Sequence, residues 1–140
     1  MPADCSYDYA VIRVVPYVDR EEFVNAGVVV FSRTQRYLAA AVELDVDRLH
    51  ALAPDIDIAA IEEQLALSPR ICAGNGPIGQ MSQAEIFHWI VAPHSTAIQC
   101  SPVHSGLVQH PATELPAVLE HLMDTFVRPR SNRLHHHAKS

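Results

Sequence analysis

Three groups of polar side chains have types and spacings that could do chemistry. The first is Arg13 with Glu21, Glu22 and Asn25. One of the carboxylates could act as a base or hold a cation, with Asn25 and Arg13 orienting an anionic group. The same four residues also make an ordinary connector, in which a carboxylate pairs with an arginine and Asn25 hydrogen-bonds the backbone ahead of Gly27. Polar side chains commonly shape turns in this way, and that structural role is the one favoured here.

The second group is His88, His94, Cys100 and His104. Imidazole and thiolate suit zinc, but the intervening five, five and three residues match no zinc module. His88 lies between Phe87 and Trp89 on an apolar stretch and fits a hydrogen-bonded histidine of the core. Cys100 as a nucleophile would need an activating imidazole and an oxyanion donor, and no such donor can be named. The third group is Ser95, Thr96 and Gln99 with Ser101, His104 and Gly106. These could line a ligand groove; the commoner case is the polar face of an edge strand followed by a turn. Gly74-Asn-Gly-Pro-Ile-Gly79 spells GxGxxG, but a helical segment precedes it and Pro77 removes an amide that a phosphate would need. No catalytic residue, metal or cofactor is assigned.

The elements that must position these groups start with two apolar runs. Tyr9 to Val15 is rich in β-branched residues and too short for an ordinary helix, so it reads as a strand that Pro16 stops or places at an edge. Ala26 to Phe31 is apolar on both faces, as a strand covered on both sides would be, and Gly27 permits a bulge or a close approach. Leu38 to Leu44 reads as a third strand closing a meander. Asp45 caps a helix from Val46 to Ala53, and Asp57 caps the next, whose Ile58, Ile61 and Leu65 share one face. Ser68 to Gln80 reads as a loop because of its prolines and glycines. Ser82-Gln-Ala-Glu85 is a capping box that opens a helix with Ile86, Trp89 and Ile90 inward. Ser95 to Ser101 reads as a fourth strand. A last helix carries Leu115, Val118, Leu119, Leu122, Met123 and Phe126, with Thr113 as its cap and Pro116 in its first turn.

Size and charge narrow the classes. A chain of 140 residues, 49% hydrophobic, supports one core. The apolar runs fall short of the roughly 20 residues that span a bilayer, and no export segment is expected at the N-terminus. Three scattered cysteines fit a reducing cytoplasm. Sixteen acidic against ten basic residues argue against nucleic-acid binding through phosphate neutralisation.

The stretches Arg13-Val-Val-Pro16, Arg20-Glu-Glu-Phe-Val-Asn-Ala-Gly-Val28, Phe87-His-Trp-Ile-Val-Ala-Pro93 and Ser101-Pro-Val-His-Ser-Gly106 resemble the bacterial domain-of-unknown-function family 3037. The resemblance runs from about Tyr7 to Phe126. It implies a small cytoplasmic protein, often encoded beside a HipA-like kinase, and hence that kinase as a partner. It places His104 in a repeated Pro-Val-His-Ser/Thr-Gly motif. The chain departs from the family pattern at Tyr17, where arginine is expected, and Cys100 and His94 stand where the pattern commonly has proline and arginine.

The fold expected is α+β, a single domain over residues 1–128: an antiparallel sheet of about four strands with three to four helices packed on it. Residues 129–140, with His135 to His137, are expected to be a disordered polar tail. The leading function is a non-enzymatic binding or regulatory partner of the kinase, with a homodimer left open. It calls for an exposed hydrophobic patch or a free sheet edge. The alternative is a small-molecule-binding domain or enzyme whose pocket takes Arg13, Glu22, Asn25 and His104.

Overall fold

A computed structural model describes residues 5–129, so the expected tail beyond Pro129, with its histidines, lies outside the described residues. The order is β1 (Cys5–Val14), β2 (Val24–Ser32), β3 (Tyr37–Val42), α1 (Val46–Leu52), α2 (Ile58–Leu65), α3 (Leu67–Cys72), α4 (Gly76–Gly79), α5 (Gln83–Val91), β4 (Ile98–Cys100), β5 (His104–Val108) and α6 (Pro111–Phe126). All pairings are antiparallel, with β1 and β2 central and β3 beside β2. The far side of β1 is shared: Ile12–Val14 pair with β4, and Cys5–Tyr9 pair with β5. At the junction Ser101 is buried; its hydroxyl accepts the Val11 amide at 2.9 Å, and its own amide donates to the Val11 carbonyl at 2.8 Å. The Val11 donor therefore stays satisfied where the chain jogs at Pro102.

The valine-rich β2 is buried from Ala26 to Ser32, as a strand covered on both faces should be. On one face Ala10, Ile12, Val14, Val29 and Phe31 meet Leu49, Ile61, Leu65, Ile71, Ile86, Phe87 and Ile90 of the α1–α5 layer. On the other, Val28, Val30 and Val108 meet Leu115, Leu122 and Met123 of α6. Each such side chain larger than alanine contributes about 1.5–3 kcal/mol by leaving water. The register shifts between Ile12, which faces Gly27, and Arg13, which faces Asn25, so Ala26 is the extra residue of a bulge. A Cβ on Gly27 would stand 2.6 Å from the Ala41 carbonyl oxygen of β3. Of the two roles expected of this glycine the close approach is present, and the bulge falls one residue before it, at Ala26.

Local caps follow the sequence. Asp45 accepts from the Arg48 amide and Asp57 from the Ala60 amide, each at 3.1 Å. Both halves of the Ser82/Glu85 box are made. Three expectations need correction, over residues 68–80, at the fourth strand and at the start of α6. The loop expected over 68–80 holds most of α3 and all of α4; α3 forms because Pro69 sits in its first turn, where its missing N–H costs no helical bond, and Ile71 is buried. The GxGxxG stretch closes on itself: a Cβ on Gly79 would stand 2.5 Å from the Gly74 carbonyl carbon, and the Gln80 side-chain amide donates to the Gly74 carbonyl at 2.9 Å. The fourth strand is only Ile98–Cys100, and a fifth, β5, follows it. Helix α6 starts at Pro111 with His110, not Thr113, as its cap residue. The Glu114 carboxylate accepts the amides of Gln109 and His110, which carries the helix upstream and leaves Pro116 in its interior.

Candidate functional site

The bulge decides what faces Arg13. Without the extra residue, Ala26 would stand opposite it; with it, Asn25 does, and Gln99 of β4 flanks the other side. The Arg13 guanidinium carbon lies 4.1 Å from the centre of the Phe23 ring, a cation–π contact. The Asn25 side-chain amide donates to the Phe126 carbonyl at 3.1 Å, tying the last turn of α6 to β2. Two buried atoms here have no hydrogen-bond partner among the described residues, Arg13 Nε and Asn25 Oδ1, a donor and an acceptor. Buried polar groups are rarely left this way outside functional or strained positions. Arg13 has no ion pair among the described residues. Its charge lowers the Cys100 thiol pKa, but burial outweighs it and pushes that thiol up to about 11.

The carboxylates of the connector turn elsewhere. Glu22 takes the Arg20 guanidinium at 2.8 Å, and this contact raises the Arg20 pKa. A carboxylate does pair with an arginine, as the turn reading expected, but the partner is Arg20 and not Arg13. Glu21 closes a 3-10 turn, Val18–Arg20, in the left-handed conformation at φ 54°. Of the four residues expected to share one pocket, Arg13 and Asn25 are brought together and Glu22 is not.

His104 stands opposite Tyr9 across the β1/β5 pair, their rings 5.4 Å apart. Tyr9 lies 6.3 Å from Phe126 and 6.2 Å from Tyr7. Tyr7 rests on Gly106, where a Cβ would come within 2.4 Å of its ring, so only glycine lets this ring lie over β5. Desolvation first, and then Tyr9, raise the Tyr7 phenol pKa. His104, Tyr9, Phe126, Asn25, Arg13 and Phe23 thus form one chain of contacts on the α6 side of the sheet. Phe23 is 43% exposed and Phe126 36%. The strip ends on β5, which among the described residues pairs only with β1 and whose Leu107 is 65% exposed.

The second group is dispersed. His88 is exposed on α5 with Nδ1 at 2.7 Å from the Ala84 carbonyl, and His94 stacks on Trp89 at 4.1 Å. The Cys100 thiol contacts the Ile90 carbonyl at 3.5 Å. Burial pushes the Cys72 thiol up to about 12. Among the described residues no three His, Cys, Asp or Glu side chains are placed to hold a metal ion. Of the third group, Ser95 accepts the amides of Ala97 and Ile98 at 3.2 Å, the Thr96 carbonyl accepts from Gln99, and these shape the turn into β4. Gln99 pairs with Arg13 in the β1/β4 register, and His104 joins the strip through Tyr9.

Sequence reading missed the aromatic members. Tyr9 and Phe126 are 117 positions apart and read as strand and core stripe. Phe23, alone in a charged connector, was the available signal. No described helix is long and apolar enough to cross a membrane. In comparisons with known proteins, residues 9–127 match the family described as "Protein of unknown function (DUF3037)". No curated protein and no solved structure matches.

Proposed function

We propose that this chain, which belongs to the DUF3037 family, is a binding module that docks a strand of another protein along β5 and the aromatic–arginine strip beside it. The observation that carries this reading is the run of that strip, from Phe23 to Arg13, across to Asn25, and on through Phe126 and Tyr9 to His104, on a strand edge that no other described strand pairs. Arginine and aromatic side chains dominate the energetics of protein interfaces. Natural sheets usually guard their edges with lysine, proline or a bulge. Strand β5, His-Ser-Gly-Leu-Val, carries none of these. An incoming strand would add backbone hydrogen bonds to β5, as in β-augmentation. A carboxylate on the partner would supply the counter-charge for Arg13, in a chain whose own net charge is −6.

The HipA-like kinase implied by the family resemblance is the first partner to test. Co-expression and purification of the two chains should yield a complex, and Leu107→Lys or Phe23→Ala should weaken it by at least about tenfold. Failure to associate at micromolar concentration would remove the kinase. A dimer of this chain that forms alone and is broken by Leu107→Lys would put a second copy on the edge and overturn the reading.

A further inference from the structure

We propose a second site, on the opposite face of the sheet, that binds a free α-amino acid with an apolar side chain. A cleft of about 510 Å³ opens between the start of β1, the end of β2 and α5, within the range of small-molecule sites. Its floor is Phe31 and Phe87, both buried, with rings stacked 5.2 Å apart. Val91 and Val103 continue that apolar surface.

The rim carries groups of opposite charge. Asp8 stands opposite Phe31 in the β1/β2 register, and Arg33, two residues beyond Phe31, lines the same cleft. They form no ion pair with each other, nor with any other described residue. Asp8 accepts the Ser105 hydroxyl at 2.7 Å and retains acceptor capacity on its second oxygen. His88 adds a further acceptor. Its Nδ1 faces the Ala84 carbonyl at 2.7 Å, so Nδ1–H donates there, and in the neutral ring Nε2 is the remaining acceptor.

An ammonium group matches Asp8 and His88, a carboxylate matches the donor fork of Arg33, and an apolar side chain matches the phenylalanine floor. A neutral apolar molecule would leave both rim charges without partners, and a simple anion would meet Asp8. A zwitterion with an apolar side chain satisfies all three surfaces at once. Tyr7 lines the cleft and also touches Tyr9 of the strip, and Ser105 of β5 bonds Asp8, so the test is made on the chain alone with no partner present, where its failure is distinguishable from failure of the docking surface.

The test is calorimetric titration of the full chain with L-leucine and L-phenylalanine, with N-acetyl-L-leucine and L-leucinamide as controls. Both amino acids should bind at one site, and each control should bind at least about tenfold more weakly. Asp8→Asn, which keeps an oxygen for Ser105, and Arg33→Gln should each cause a similar loss. Arg33 is exposed and unpaired, so Arg33→Gln should melt like the parent and keeps the test decisive if Asp8→Asn is unstable. Absence of binding by both amino acids at low-millimolar concentration would overturn the proposal. So would controls that bind as well as leucine, or an Arg33→Gln variant that binds unchanged.

Discussion

Replacing Gly27 with alanine is expected to destabilise the fold by about 2 kcal/mol net. The added methyl carbon would lie 2.6 Å from the Ala41 carbonyl oxygen and 2.8 Å from Val42 Cγ1, with Ile12 Cβ at 3.4 Å on the other side. The first neighbour is backbone of β3 and the second is a β-branched side chain with little rotamer freedom. Neither can step aside without moving the strand, so the cost falls near the top of the overpacking range, about 3 kcal/mol. Loss of freedom in the unfolded chain returns about 0.4–1 kcal/mol. Urea denaturation read by circular dichroism should show a lower midpoint at unchanged slope, with Tm lower by roughly 6–10 °C. Because the bulge beside Gly27 sets Asn25 against Arg13, the variant should also weaken partner binding. Stability within about 0.5 kcal/mol of the parent would refute the placement of β3 against this glycine.

Ser82→Ala should cost about 1 kcal/mol by removing the acceptor of the Glu85 amide, and Ser82→Thr should retain most of it, both measured by the same urea titration. Alkaline pH should destabilise the protein through its half-buried thiols. Burial raises Cys72 to about 12 and Cys100 to about 11 from an ordinary value of 9.0. Above about pH 9 the unfolded chain therefore loses thiol protons that the folded chain keeps, and stability falls as pH rises from there towards the folded values. Thermal melts from pH 8 upward should show this decline, and Cys72→Ala with Cys100→Ala should flatten it.

The centre of the fold was legible because β-branched residues are concentrated in two runs, and because Asp45, Asp57, Ser82 and Glu85 announce helix starts by local bonds alone. Helix α3 was not, since Pro69 counts as a breaker unless its place in the first turn is known. Strand β5 was not either. His-Ser-Gly-Leu-Val has little intrinsic strand preference. It pairs because the ten residues of β1 extend beyond β4 and Tyr7 covers Gly106. The start of α6 depends on Glu114 reaching back to two amides, which competes with the local cap at Thr113. At the site, Arg13 and Asn25 stood out as a pair of residue types, but the choice of Arg20 by Glu22 and the joining of Tyr9 to Phe126 arise only from packing.

The most direct measurement of the docking surface is co-purification of this chain with the HipA-like kinase, for the parent and for Arg13→Ala, Phe23→Ala and Leu107→Lys. All three side chains are exposed or half-buried at the surface, so the variants should fold. A complex with the parent that each substitution weakens by at least about tenfold is the result expected. No complex would remove the kinase as the partner, and a complex that all three variants form as tightly as the parent would contradict the assignment of this surface to partner binding.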